Sequence, residues 1–233
     1  MPDNCFCELP REGLIRQPSD SSSNLFFGVV GFVILGLYSG KQFASNFTLT
    51  AAMSGLGCLF ICSGSAYYHA SLTFTGQFLD NIGMFLVLIP FFIYTLQKLN
   101  LLDKDHFWQL YTPILAVVIV VELYVPSIRR YIFGLFIVVL LGFEFYRIHK
   151  TPGTDKTYLI TGLVVFLMAY AVWYLDLDKI ICDPKSWMQG HAIWHALSAT
   201  AVFLVYKHYE LSATEDKENE EAPHSFEPLK AVA

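Results

Sequence analysis

Seven predominantly apolar runs follow one another along this chain with only short polar gaps between them. They lie at about 24–39, 48–69, 78–97, 107–124, 128–146, 158–175 and 190–206. A helix rising about 1.5 Å per residue needs roughly 20 such residues to cross about 30 Å of hydrocarbon. No run alternates with period two, and a helix satisfies its own backbone in lipid without closing a barrel. The expected fold is therefore all-α, a polytopic bundle of seven transmembrane helices.

Composition supports a membrane setting, because only 15% of the 233 residues are charged, against about a quarter in soluble domains. The charges collect in the gaps and at the two ends. Residues 1–23 are polar and lack the apolar core of a signal peptide, so they are expected to form an extramembrane N-terminal segment. Residues 24–208 form the membrane domain. Residues 209–233, rich in Glu, Lys, Ser and Ala, cannot bury a core and are expected to be a disordered acidic tail. Much of the net charge of -5 sits there, and no basic face exists to bind nucleic acid. Trp108, Tyr111, Tyr124, Tyr146, Trp173, Trp187 and Tyr206 crowd the helix ends as an interfacial belt would. Counted near those ends, with Lys41 included, Lys and Arg lean slightly toward a cytosolic C-terminus, in a bacterial inner membrane or in the endoplasmic reticulum or Golgi. The cysteines show no metal-finger spacing. A Cys7–Cys182 bridge is open to the chain if both lie on an oxidising side.

Ionisable side chains inside a span are costly and usually mark function, and here four of them share one depth. His69 ends the second run, Asp80 opens the third two to three residues in, and His191 and His195 open the seventh. Counting crossings puts all four on the face of the N-terminus. His191 and His195, four apart, stack on one side of a helix with Cβ atoms about 5–6 Å from each other. Such a pair can clamp one zinc ion, and His69 supplies a third imidazole. Three histidines with an open fourth position describe a catalytic zinc site, not a closed structural one. Ser65 precedes His69 by four residues and points the same way. Asp80 then orients or deprotonates water, and Ser65 donates to a developing oxyanion. Blander readings stand beside these. His69 alone is an interfacial histidine, the 191/195 pair a haem ligand or an interhelical hydrogen-bond pair, Ser65 a packing residue and Asp80 an N-cap. Glu122 and Glu144 read as solvated helix-end charges, and His106, His149, His208 and His224 as bystanders on the opposite face.

The run Ser65-Ala-Tyr-Tyr-His69, then Gly76-Gln-Phe-Leu-Asp80, then Gly190-His191-Ala-Ile-Trp-His195 resembles the alkaline ceramidases. Those enzymes belong to a wider membrane hydrolase superfamily that includes the progestin and adipoQ receptors. The resemblance covers the whole seven-helix region, including Asp183-Pro-Lys-Ser-Trp187. It implies zinc on His69, His191 and His195, with Asp80 and Ser65 as the supporting catalytic groups. It also implies a ceramide-like membrane lipid as substrate, cleaved to a sphingoid base and a free fatty acid. The chain departs from the family in two places. The acidic N-terminal motif that helps bind calcium there reads Cys5-Phe6-Cys7-Glu8-Leu9-Pro10 here, and a later family Glu falls at Gln17, which weighs against calcium. The family's D-E-x-P is Asp80-Asn81-Ile82-Gly83, which bears on substrate preference. Hydrolysis of a different acyl lipid, and a receptor-like zinc protein without turnover, remain the competing readings.

Overall fold

The computed structural model describes residues 6–39 and 45–221. Lys41, Cys5, His224 and the end of the acidic tail fall outside them. A short helix α1 (Pro18–Ser23) leads into seven long ones: α2 (Leu25–Ser39), α3 (Ser45–Ser71), α4 (Phe74–Lys98), α5 (Phe107–Tyr124), α6 (Arg129–Lys150), α7 (Thr157–Leu177) and α8 (Gly190–Glu221). No strand occurs among the described residues. The first six apolar segments, from Pro18–Ser39 to Thr157–Leu177, are long and apolar enough to cross a membrane. The helix α8 is not among them, since its histidines and polar residues dilute the apolar run.

Local chemistry sets the ends. Leu72 takes the left-handed conformation with φ 51°, which folds α3 back onto α4 within two residues. Thr73 then caps α4, its Oγ1 accepting the Gly76 N–H at 3.1 Å. Asp155 Oδ1 accepts the Thr157 N–H at 2.8 Å where α7 starts. Asn100 and Lys179, also left-handed, follow the ends of α4 and α7, positions where such a residue lets the chain leave a helix.

α3 and α4 form the closest pair, α2 and α8 pack beside α3, and α5 and α6 lie against α4, with α7 against α8. One cluster, with Ile34, Phe47, Cys58, Phe91, Tyr94, Tyr206 and Tyr209, joins α2, α3, α4 and α8. A second, with Phe85, Ile89, Ile93, Phe107 and Val118, joins α4 to α5 and α6. Leu135, Val138, Val164, Leu167 and Met168 on α6 and α7 face outward, as a lipid-facing surface requires.

The structure departs from the sequence reading in four places. First, Glu122 and Glu144 are buried, not solvated. The Glu122 carboxylate meets Arg129 Nε at 3.4 Å and accepts from Asn81 Nδ2 at 3.0 Å. Glu144 accepts from Arg147 and from Thr95 Oγ1 (2.8 Å), and lies 2.7 Å from His208 Nε2. Second, Tyr111 and Tyr206 of the expected belt are core residues, whereas Trp108, Tyr124, Tyr146 and Trp187 are exposed. Third, α4 starts at Phe74, so Asp80 lies in its second turn and does not cap it. Fourth, α8 continues past residue 208, because Tyr209 stacks on Phe91 and Ser212 accepts from Arg147 Nη1 at 3.2 Å. These contacts hold the chain helical beyond its apolar run.

The segment ahead of α2 lies over one end of the bundle. Its serines can be buried because each hydroxyl returns a hydrogen bond: Ser19 to the Trp187 carbonyl (2.7 Å), Ser21 to that of Ala66 (3.0 Å) and Ser23 to that of Asp20 (2.9 Å). A Cys7–Cys182 disulfide ties the segment to the loop before α8.

Candidate metal centre

Three imidazoles meet at the end of the bundle that this segment covers. His69 comes from the last turn of α3, His191 and His195 from the first turns of α8, and all three are buried. One nitrogen of each lies within 4.8 Å of the others, a grouping able to hold a metal ion. Two elements are thus drawn together 122 residues apart in sequence. At the start of α8, the Gly190 backbone approaches α7 so closely that a Cβ there would stand 2.9 Å from the Asp176 side chain. Only glycine fits.

Hydrogen bonds beyond the imidazoles fix which nitrogens face inward. The Gln17 amide donates through Nε2 to the Glu8 carbonyl at 2.9 Å, which leaves its Oε1 facing His69 Nδ1, also at 2.9 Å. An amide oxygen can only accept. Nδ1 of His69 therefore carries the proton, and Nε2 presents a lone pair toward the centre. Ser23 Oγ holds His195 Nδ1 at 2.7 Å in the same manner. This is the outer arrangement that usually orients metal-binding histidines. His69 Nε2 lies 3.2 Å from His191 Nε2, while His191 Nδ1 has no hydrogen-bond partner among the described residues. Two ring nitrogens that close, with the outer sides of two rings occupied by oxygens, form a donor set suited to a divalent cation.

Aromatic rings close the centre. Phe6 stacks on His191 at 3.6 Å between centroids, Tyr68 lies 4.8 Å from His69 and Phe27 6.3 Å from His195. Ser65, one turn before His69 on α3, is fully buried. Its Oγ faces Asp80 across the α3–α4 interface without closing a hydrogen bond. Of the five residues picked from spacing, the three histidines converge directly, and Ser65 and Asp80 form a neighbouring pair.

Sequence reasoning missed Phe6, Asp20, Ser23 and Asp176, and took Gln17 only as a departure from the family's calcium motif. Asp176 Oδ2 accepts the Cys7 N–H at 3.0 Å, and Asp20 Oδ2 lies 3.9 Å from His69 Nδ1. A polar stretch rich in Ser and Asp reads as solvated. The signal available was Asn24 and the close-set serines directly against an apolar run, where each hydroxyl can bond back to the chain.

Residues 18–229 match the profile of the family described as Ceramidase. A candidate alkaline ceramidase of Dictyostelium discoideum is 27% identical over 175 residues, 65% of this chain and 60% of that protein. Alkaline ceramidase 1 of Mus musculus is 22% identical over 212 residues, 84% of this chain and 73% of the mouse protein. The chain thus spans less than two thirds of the Dictyostelium relative it matches.

Proposed function

The chain belongs to the ceramidase family, and from that premise we propose that it is a zinc-dependent intramembrane hydrolase that cleaves the amide of a ceramide-like lipid. The observation that carries this reading is the convergence of three buried imidazoles with their inward nitrogens selected by Gln17 and Ser23. We read α8 as a seventh crossing, with the centre on the face of the N-terminus.

His69, His191 and His195 would hold the zinc. The chemistry it supplies when bound is Lewis acidity toward the amide carbonyl and toward water. The chain's own residues do the rest. Asp80 accepts the proton that leaves the attacking water and returns it to the departing sphingoid amine, so the site ends each turn in its starting state. Ser65 Oγ, buried and uncommitted, donates a hydrogen bond to the carbonyl oxygen as negative charge builds on it. Phe6, Tyr68 and Phe27 pack around the histidines and restrict water there. A bilayer substrate suits such a place, since its chains lie in hydrocarbon while its amide reaches the bundle's end.

The test is release of sphingoid base and fatty acid from ceramide in liposomes by zinc-replete protein. His191→Ala should reduce turnover to background. Elemental analysis should find one zinc per chain, absent from the His69→Ala/His191→Ala double variant. Intact ceramide beside cleavage of an ester-linked phospholipid would move the substrate assignment and keep the reaction class. Zinc without turnover of any acyl lipid would favour the receptor-like reading.

A further inference from the structure

Asp20 is fully buried in α1, and neither carboxylate oxygen has a hydrogen-bond partner among the described residues. A buried carboxylate left in that state is strongly disfavoured unless something compensates it. The other acidic groups at this end are tied to backbone N–H groups or turned to Ser65, with Asp176 Oδ1 also unpartnered among the described residues. Glu8 Oε1 and Oε2 accept the Ser19 and Asp20 N–H groups at 3.0 and 2.9 Å, capping α1, and Asp176 Oδ2 takes the Cys7 N–H. Asp80 is turned to Ser65. Among the described acidic groups, Asp20 is the one within ion-pair range of a ligand, its Oδ2 3.9 Å from His69 Nδ1, with the Gln17 amide oxygen already on that nitrogen.

Three neutral imidazoles do nothing to offset the charge of a dication in an apolar surround. We infer that Asp20 is a positioning residue of the metal centre: its carboxylate supplies the negative charge that balances a divalent ion held by His69, His191 and His195, acting through His69 without ligating. The inference rests on the zinc reading given above. It assigns α1 a task that Gln17 and Ser23 complete, since the same six-residue turn and the residue before it orient two ligands and neutralise what they hold.

The arrangement separates two measurements. In metal-free protein asparagine fills the same buried place without a carboxylate, so Asp20→Asn should leave the thermal midpoint unchanged or higher. In competition with a chromophoric chelator, the same full-length variant in detergent should bind zinc about 10–100-fold more weakly than wild type. Adding Gln17→Glu to Asp20→Asn places a carboxylate on His69 Nδ1 and should restore most of the affinity. A helix-capping role alone is the competing account, because the Ala192 N–H at the start of α8 also lies toward Asp20. It predicts a lower midpoint for Asp20→Asn with unchanged zinc affinity, and that result would overturn the inference. So would parallel loss of affinity and stability that Gln17→Glu fails to recover. Wild-type protein that takes up no zinc would instead sink the metal reading itself, a distinct outcome.

Discussion

Ser65 separates a packing role from a chemical one. Its Oγ is buried and, though it faces Asp80, closes no hydrogen bond among the described residues, so Ser65→Ala should leave the thermal midpoint unchanged or slightly higher. If the hydroxyl serves the reacting carbonyl, turnover falls roughly 10²-fold or more with zinc content intact. Unfolding and lipid turnover measured on one preparation decide the matter, and a packing residue would show the reverse pattern. At this scale the sequence was partly legible. The i,i+4 spacing placed Ser65 with His69 and paired His191 with His195 because a helix imposes that geometry regardless of context. Glu144 was misread because its burial depends on Thr95 and His208 from two other helices as well as on Arg147 of its own, and no spacing within one run reveals a partner on another.

Among the helices, α3 and α4 are held at backbone range by glycines. A Cβ at Gly83 would stand 2.8 Å from Ile61, at Gly57 2.9 Å from Val87, and at Gly76 2.6 Å from the Tyr68 Cα. Small residues allow such approach where no hydrophobic force drives helices together in lipid. Gly76→Ala must push the first turn of α4 away from Tyr68, the neighbour of His69. A loss of about 1–3 kcal/mol is expected from the overpacking, and the displaced His69 should retain zinc less well. Thermal unfolding and metal content after dialysis check both; unchanged values would show that α4 can slide without consequence for the centre. The long helices α2 to α7 were legible from hydropathy, since each apolar run is itself the lipid-facing or core-facing element. The start of α4 was not, because Thr73, Thr75 and Gly76 lower helix propensity and concealed a turn that Thr73 caps.

For the whole molecule, the N-terminal segment is a strap fastened at both ends. Cys7 is bonded to Cys182, Leu9 N–H donates to the Pro184 carbonyl at 3.0 Å, and Arg16 and Gln17 N–H groups donate to the Ala70 and His69 carbonyls. Phe6, next to the cystine, covers His191. Reduction should free Phe6 and speed zinc loss to an added chelator several-fold, read as the rate of chelator colour in the presence and absence of a membrane-permeant thiol. An unchanged rate would mean the hydrogen bonds suffice. The sequence left this bridge open, since pairing depends on where two distant loops meet. Cystines persist on oxidising sides of a membrane and are reduced in the cytosol. On the proposed reading, an end locked by one is sided: it would read lipids from a single leaflet, and a substrate made in the other would have to flip across before it could be cut.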